Sequence, residues 1–130
     1  MKNKGLFKKI SFYYLPLLAW MGLIFYLSSF PGDGIRWERD IWFYIERKGA
    51  HVMEFFILTI LFIRIVRFYK VKREVYYISA LFSLAYAFSD EIHQVFVIGR
   101  EGKFSDIGVD LAGIILAVIL YKLFSKKYVL

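Results

Sequence analysis

Eight polar residues of the kinds that move protons, bind metals or grip charged groups lie inside stretches that are otherwise apolar. They are His51, Glu54, Asp90, Glu91, His93, Gln94, Asp106 and Asp110, and Lys48 stands just before the first of them. Lys48, His51 and Glu54 recur every three residues, a spacing that places them along one face of a helix. Asp90, His93 and Gln94 share a face in the same way, with Glu91 beside it, and Asp106 and Asp110 are one turn apart. A charged side chain at the centre of a membrane helix costs about 2.5 to 3.5 kcal/mol on insertion scales, so residues of this kind in such places point to function. Carboxylates beside imidazoles suit general acid–base chemistry, with a carboxylate as base and a histidine carrying the proton. On that chemistry Glu54, Asp90, His93 and His51 are the catalytic candidates. Lys48, Glu91, Gln94, Arg100, Asp106 and Asp110 are the substrate-binding candidates.

The segments that must position these groups are long and apolar. Of 130 residues, 59% are hydrophobic and 21% aromatic, with a mean hydropathy of +0.53, more than a soluble domain of this length can bury. Four runs, at about 12–30, 48–68, 75–98 and 105–124, approach the roughly 20 residues that span a ~30 Å hydrocarbon layer. Helices are predicted for all four. Open strands would leave backbone groups without partners in lipid, and runs of this length do not resemble the short alternating strands of a barrel. The expected fold is an all-α integral membrane protein, a four-transmembrane-helix bundle forming one domain over residues 1–130. Pro16 is placed in the first turns of the first run, where it is tolerated or gives a mild kink. The basic residues ahead of that run resemble a signal peptide, but the run is long for a signal core and no small-x-small cleavage site follows it, so an uncleaved anchor is predicted. Residues 31–47 are expected to form a surface loop, with Trp37, Trp42, Phe43 and Tyr44 as interfacial aromatics.

Charge sets the expected orientation. The formal charge of +7 reads as the positive-inside bias of membrane proteins and not as nucleic-acid binding. Twelve Lys and Arg flank one side of the four runs, at the N-terminus, between the second and third runs and at the C-terminus, against six on the other side. Both termini are therefore expected in the cytoplasm, in a multi-pass protein of the cell membrane, which puts the polar residues toward the outer leaflet. The absence of cysteine excludes thiol catalysis, disulfides and thiolate metal ligands.

Measured from the middle of each run, Glu54, Asp90 and Asp110 lie about 6 Å outward, His51 and His93 about 10 Å, and Asp106 a little further. One site in two layers is predicted, carboxylates below and imidazoles above, with the first helix supplying packing alone. Several carboxylates so close cannot all ionise in low dielectric, so shared protons, Lys48, Arg100, a metal ion or a cationic group of a substrate must join them. The pairs His51–Glu54 and Asp90–His93 are of the i, i+3 type that binds metals between helices. No specific signature such as HExxH accompanies them, so no metal or other cofactor is assigned. The competing account is that the polar residues only hydrogen-bond the helices together. Gly49, Ala50, Gly108, Ala112 and Gly113 are read as points of close helix approach. Arg100, in the turn at 99–103, is set at the mouth, either as an interfacial anchor paired with Glu101 or as a two-bonded grip on a phosphate or carboxylate.

At these residues the sequence resembles the VanZ-like family of small bacterial membrane proteins. The resemblance runs from the first helix to the fourth. It rests on Tyr26-Leu27-Ser28-Ser29, on Lys48 with His51 and Glu54, on Tyr86 through Ser89-Asp90-Glu91-Ile92-His93-Gln94, and on Gly99-Arg100 followed by Asp106 and Gly113. Ile98 stands where the family usually has Pro, and Asp110 where it usually has Asn, which adds a carboxylate to the deep layer. The resemblance implies a cell-envelope role and, through the member that names the family, a link to glycopeptide resistance, teicoplanin above all. It implies no reaction. The expected function is an outward-facing polar pocket that acts on or binds a lipid-linked or amphiphilic envelope molecule. The alternatives are a non-enzymatic binding or packing component, or part of an ion- or proton-linked transporter, which would need to oligomerise because no carboxylate lies in the inner half.

Overall fold

The computed structural model describes residues 2–32, 41–100 and 102–127. They form four α-helices, α1 (Lys2–Ser28), α2 (Ile41–Phe68), α3 (Val75–Val95) and α4 (Phe104–Lys127), with no strand among the described residues. Three stretches, Asn3–Ser28, Ile41–Phe68 and Phe104–Lys126, are long and apolar enough to cross a membrane. The helix α3 has 21 residues, about 30 Å at the helical rise, but its serines and its acidic C-terminal turns lower its hydropathy. The helices run up, down, up and down. Both α2 and α3 pack on every other helix, whereas α1 and α4 do not meet among the described residues.

Several boundaries differ from those the hydropathy pattern predicts. The first helix begins at Lys2, ten residues before the apolar run, so Pro16 lies in mid-helix and not in its first turns. Lysines are good helix formers, and a hydropathy window ends where charge begins, not where backbone hydrogen bonding stops. For the same reason α2 begins at Ile41, and Trp42, Phe43, Tyr44 and Arg47 belong to a helix and not to a surface loop. Trp37 lies outside the described residues. At its other end α3 closes early: Phe96 and Val97 donate to the carbonyls of His93 and Gln94, tightening into a turn at which Gly99 takes φ 77°. That left-handed conformation is one that glycine adopts without a Cβ penalty.

The interior is built from small and polar side chains as much as from large apolar ones. On α3 the inward stripe is Val75, Ser79, Ser83, Ala87, Asp90, Glu91 and Gln94, while Leu81, Phe82, Phe88 and Ile92 face outward. Lipid is as apolar as leucine, so helices in a membrane gain nothing by hiding leucine from it; close approach and hydrogen bonds hold them instead. Tyr86 Oη donates to the Met21 carbonyl at 2.6 Å and Trp20 Nε1 to the Glu54 carbonyl at 2.9 Å, tying α1 to α3 and α2. Thr59 Oγ1 lies 2.7 Å from the Phe55 carbonyl and donates to Ser83 Oγ at 2.9 Å, joining α2 to α3. Leu17, Ile24, Phe55, Leu58, Ile65, Ala87 and Ile114 fill the space between these bonds.

Of the small residues read as close-approach points, Gly113 is one. A Cβ there would come within 2.3 Å of the Val52 carbonyl oxygen and 3.2 Å of the Phe56 nitrogen. Gly49 and Gly108 face open space, Ala50 lines a cavity and Ala112 is exposed. Gly113→Ala should therefore push α4 from α2 and cost about 1–3 kcal/mol, as overpacking does. Gly108→Ala should stay within about 0.5 kcal/mol of the wild type. Denaturant unfolding of both variants in detergent checks this, and equal losses at the two positions would contradict it.

Candidate functional site

At one end of the bundle, where α1 and α3 finish and α2 and α4 begin, a cavity of about 400 Å³ opens. Leu27 and Ser28 of α1, Phe43, Arg47, Ala50, His51 and Glu54 of α2, Asp90 and Gln94 of α3, and Arg100 from the following turn form most of its wall. One edge is made by backbone alone. The Gly32 N–H donates to the Ile98 carbonyl at 3.1 Å, and a Cβ on Gly32 would fall 2.0 Å from the Gly99 oxygen, so neither position of this seam has room for a side chain.

The acids of the site differ in how they are held. Asp90 is 4% exposed and accepts from Ser28 Oγ at 2.6 Å and Gln94 Nε2 at 3.0 Å, one bond to each carboxylate oxygen. Asp110 is fully buried and its Oδ1 lies 2.9 Å from His51 Nδ1. Glu54 is half-buried in the cavity wall, and its carboxylate makes no hydrogen bond or ion pair among the described residues. Three enclosed acceptors, Glu91 Oε1, Gln94 Oε1 and Asp110 Oδ2, have no partner among the described residues. Such an atom costs about 1–3 kcal/mol when left unmet, which makes Gln94 Oε1, on the cavity wall, a ready acceptor for an incoming donor.

Two guanidinium groups stand at the mouth. Arg47 reaches Asp106 Oδ2 at 3.9 Å, a loose pairing. Arg100 donates through Nε to the Phe30 carbonyl at 2.8 Å and through Nη2 to the Leu27 carbonyl at 3.2 Å. It thus satisfies carbonyls at the C-terminal end of α1, where a cation also complements the helix dipole. Partial burial, and next the charge of Arg47, lower the Arg100 pKa from its ordinary value, while Asp90, Glu54 and Glu91 act in the opposite sense. The two cations are close enough to repel each other, an arrangement that an anion between them would relieve.

Of the ten residues singled out by type and spacing, five share the cavity wall: His51, Glu54, Asp90, Gln94 and Arg100. Asp110 and Asp106 support it from behind, through His51 and Arg47. Three lie elsewhere. Glu91 accepts the Lys103 N–H at 3.0 Å beside the start of α4, where a carboxylate suits the positive end of the helix dipole. His93 stacks on Phe25 with ring centroids 4.3 Å apart and hydrogen-bonds Ser29 Oγ at 2.9 Å. Lys48 is exposed and lines no part of the cavity. Of the two histidines expected in one outer layer of the site, His51 turns to Asp110 and His93 to α1, so His51 lines the cavity and His93 does not. Among the described residues no three His, Asp or Glu are grouped to hold a metal ion.

The expectation that α1 supplies packing alone is also overturned, since Ser28 and Ser29 reach Asp90 and His93. Neither serine is charged, so hydropathy passes over them; their adjacency at the end of an apolar run was the available signal. Arg47 was counted only for orientation because it was assigned to a loop.

Beside this geometry stands the comparison with known proteins. The VanZ/LLP1 family model matches residues 12–125, from α1 through almost all of α4, and so takes in every residue of the cavity. No curated protein and no solved structure matches the chain. With most of its length matched and three helices fit to cross a membrane, the chain is a membrane protein of the cell envelope and belongs to the VanZ/LLP1 family.

Proposed function

We propose that this is a multi-pass protein of a bacterial plasma membrane, with four spans and cytoplasmic termini, whose outward-opening pocket binds the anionic head of an amphiphilic envelope molecule and transfers protons on it. The observation that carries the reading is the pairing of His51 with buried Asp110 next to the unbonded carboxylate of Glu54. With the Nδ1 proton shared toward Asp110, Nε2 of His51 carries the lone pair that can take a proton from water or a substrate hydroxyl. The oxygen so activated attacks the head group, and Glu54, in its protonated form, returns a proton to the departing oxygen. Asp90, fixed by Ser28 and Gln94, keeps the wall in place, and Arg47 and Arg100 hold the negative charge at the mouth. This is hydrolysis or transfer without a thiol.

A second reading is capture without turnover of an amphiphile such as the lipoglycopeptide teicoplanin. It is favoured by Arg100, two of whose donors already serve the α1 carbonyls, which leaves fewer for a transition state.

The orientation is testable because the chain has no cysteine of its own. The variants Lys72→Cys and Lys103→Cys place single thiols on either side of α3; in intact cells a membrane-impermeant maleimide should label the variant at 103 and spare the one at 72. Labelling of both overturns the four-span topology, and labelling of 72 alone overturns the cytoplasmic placing of the termini. His51→Ala and Glu54→Gln, at wild-type abundance, should abolish any protection against teicoplanin. If the site is catalytic they should also lower the rate by about 10²–10⁴-fold, the usual worth of an acid–base group. Mass spectrometry of membrane lipids with and without the protein separates the two readings, since only turnover yields a changed species. Wild-type behaviour of both variants would refute either one.

A further inference from the structure

The opposite end of the bundle, which bears both chain termini, holds two arginines of α2 spaced i, i+3 and therefore on one face. Arg64 is half-buried and Arg67 exposed, and neither has an ion pair among the described residues. Aromatic rings meet them instead. The Arg64 guanidinium lies 5.2 Å from the centroid of Phe12 and 5.6 Å from that of Tyr13, and Arg67 lies 5.5 Å from that of Tyr121. Ring contacts of this kind hold the faces of a guanidinium and leave its in-plane N–H donors free.

Between these groups is a cavity of about 400 Å³ lined by Phe12, Tyr13, Arg64, Arg67, Phe68 and Tyr121. A second, of about 480 Å³, runs along α2 and α4 past Phe56, Ile60, Leu120 and Phe124. Arg67 and Tyr121 belong to both, so the cationic space continues into the apolar groove. Among the described residues no carboxylate lines either cavity. A cationic chamber opening into an apolar channel has the outline of one lipid molecule, with a head and a tail.

We infer that this end is a binding site for an anionic phospholipid of the leaflet that faces the chain termini. Its phosphate is held by Arg64 and Arg67, and one acyl chain lies along Phe56, Ile60, Leu120 and Phe124. Arginine donors match phosphate oxygens in pairs. A zwitterionic head group fits less well, because its ammonium would enter a chamber with two positive charges and no acid. The site is separate from the polar pocket at the other end, so the two readings stand or fall independently.

The test uses the full-length protein, stripped of lipid in detergent and titrated by native mass spectrometry with phosphatidylglycerol or phosphatidylcholine of the same acyl chains. The wild type should retain one phosphatidylglycerol, with phosphatidylcholine held at least roughly tenfold more weakly, and Arg64→Gln/Arg67→Gln should lose the preference, given about 1 kcal/mol for each basic residue near an anionic surface. Ile60→Trp should fill the groove and weaken phosphatidylglycerol with both arginines intact. Equal retention of the two lipids by the wild type overturns the inference, as does undiminished phosphatidylglycerol binding by the double variant. Should the double variant fail to accumulate, Arg67→Gln alone, at an exposed position, decides by the same readout.

Discussion

A carboxylate enclosed in an apolar bundle must be met on both oxygens or it destabilises the bundle, and Asp90 is met by two groups from different parts of the chain. Ser28 reaches it from the last turn of α1 and Gln94 from one turn further along α3. The bond from Ser28 ties the end of α1 to α3, and the carbonyls of Leu27, in that last turn, and of Phe30, just after it, receive Arg100. Removing the acid would leave Ser28 and Gln94 without their partner in the same dry space. The cavity wall, the turn after α3 and the end of α1 thus share one electrostatic requirement.

The two ends of the bundle answer charge differently. At the pocket end Asp90 is met by a hydroxyl and an amide and one oxygen of Asp110 by an imidazole, with the arginines kept to the rim. At the other end, arginines lie against ring faces, with no acid among the described residues that line the cavities beside them. Unmet acceptors thus lie inside one end of the bundle and ring-faced guanidinium donors at the other. Each end is suited to a ligand of opposite character in its depths, a donor for the pocket and a phosphate for the arginines. The apolar middle, from Leu17 to Ile114, separates them.

Much of this arrangement could be read in the residues before any coordinates. The helices were legible because their apolar runs match a membrane, and His51, Glu54, Asp90 and Gln94 were legible because polar groups are costly there. Helix ends were not, since lysine-rich and aromatic segments continue a helix past the point where hydropathy falls, as at Lys2–Lys9 and at Ile41. Nor were partners. Depth along a run gives a residue's level but not its direction, and His51 and His93, at one level, face different neighbours. Serines at 28 and 29 cost little to bury and leave no trace in a hydropathy profile, although one of them completes the site.

The bond from Ser28 to Asp90 closes over a separation of 62 residues. On a ribosome adding about 5–20 residues per second, the serine waits roughly 3 to 12 s for its acceptor to be made. Asp110 follows Asp90 by a further stretch of chain, so the imidazole it steadies is the last part of the site to find its counterpart. The first helix must therefore tolerate an interval without its acceptor on α3, during which a hydroxyl can turn back on its own helix, as Ser29 still does toward the Phe25 carbonyl. Assembly of the pocket in this way waits on α4, and a nascent chain halted before that helix carries Glu54 and Asp90 without the Asp110 that holds His51.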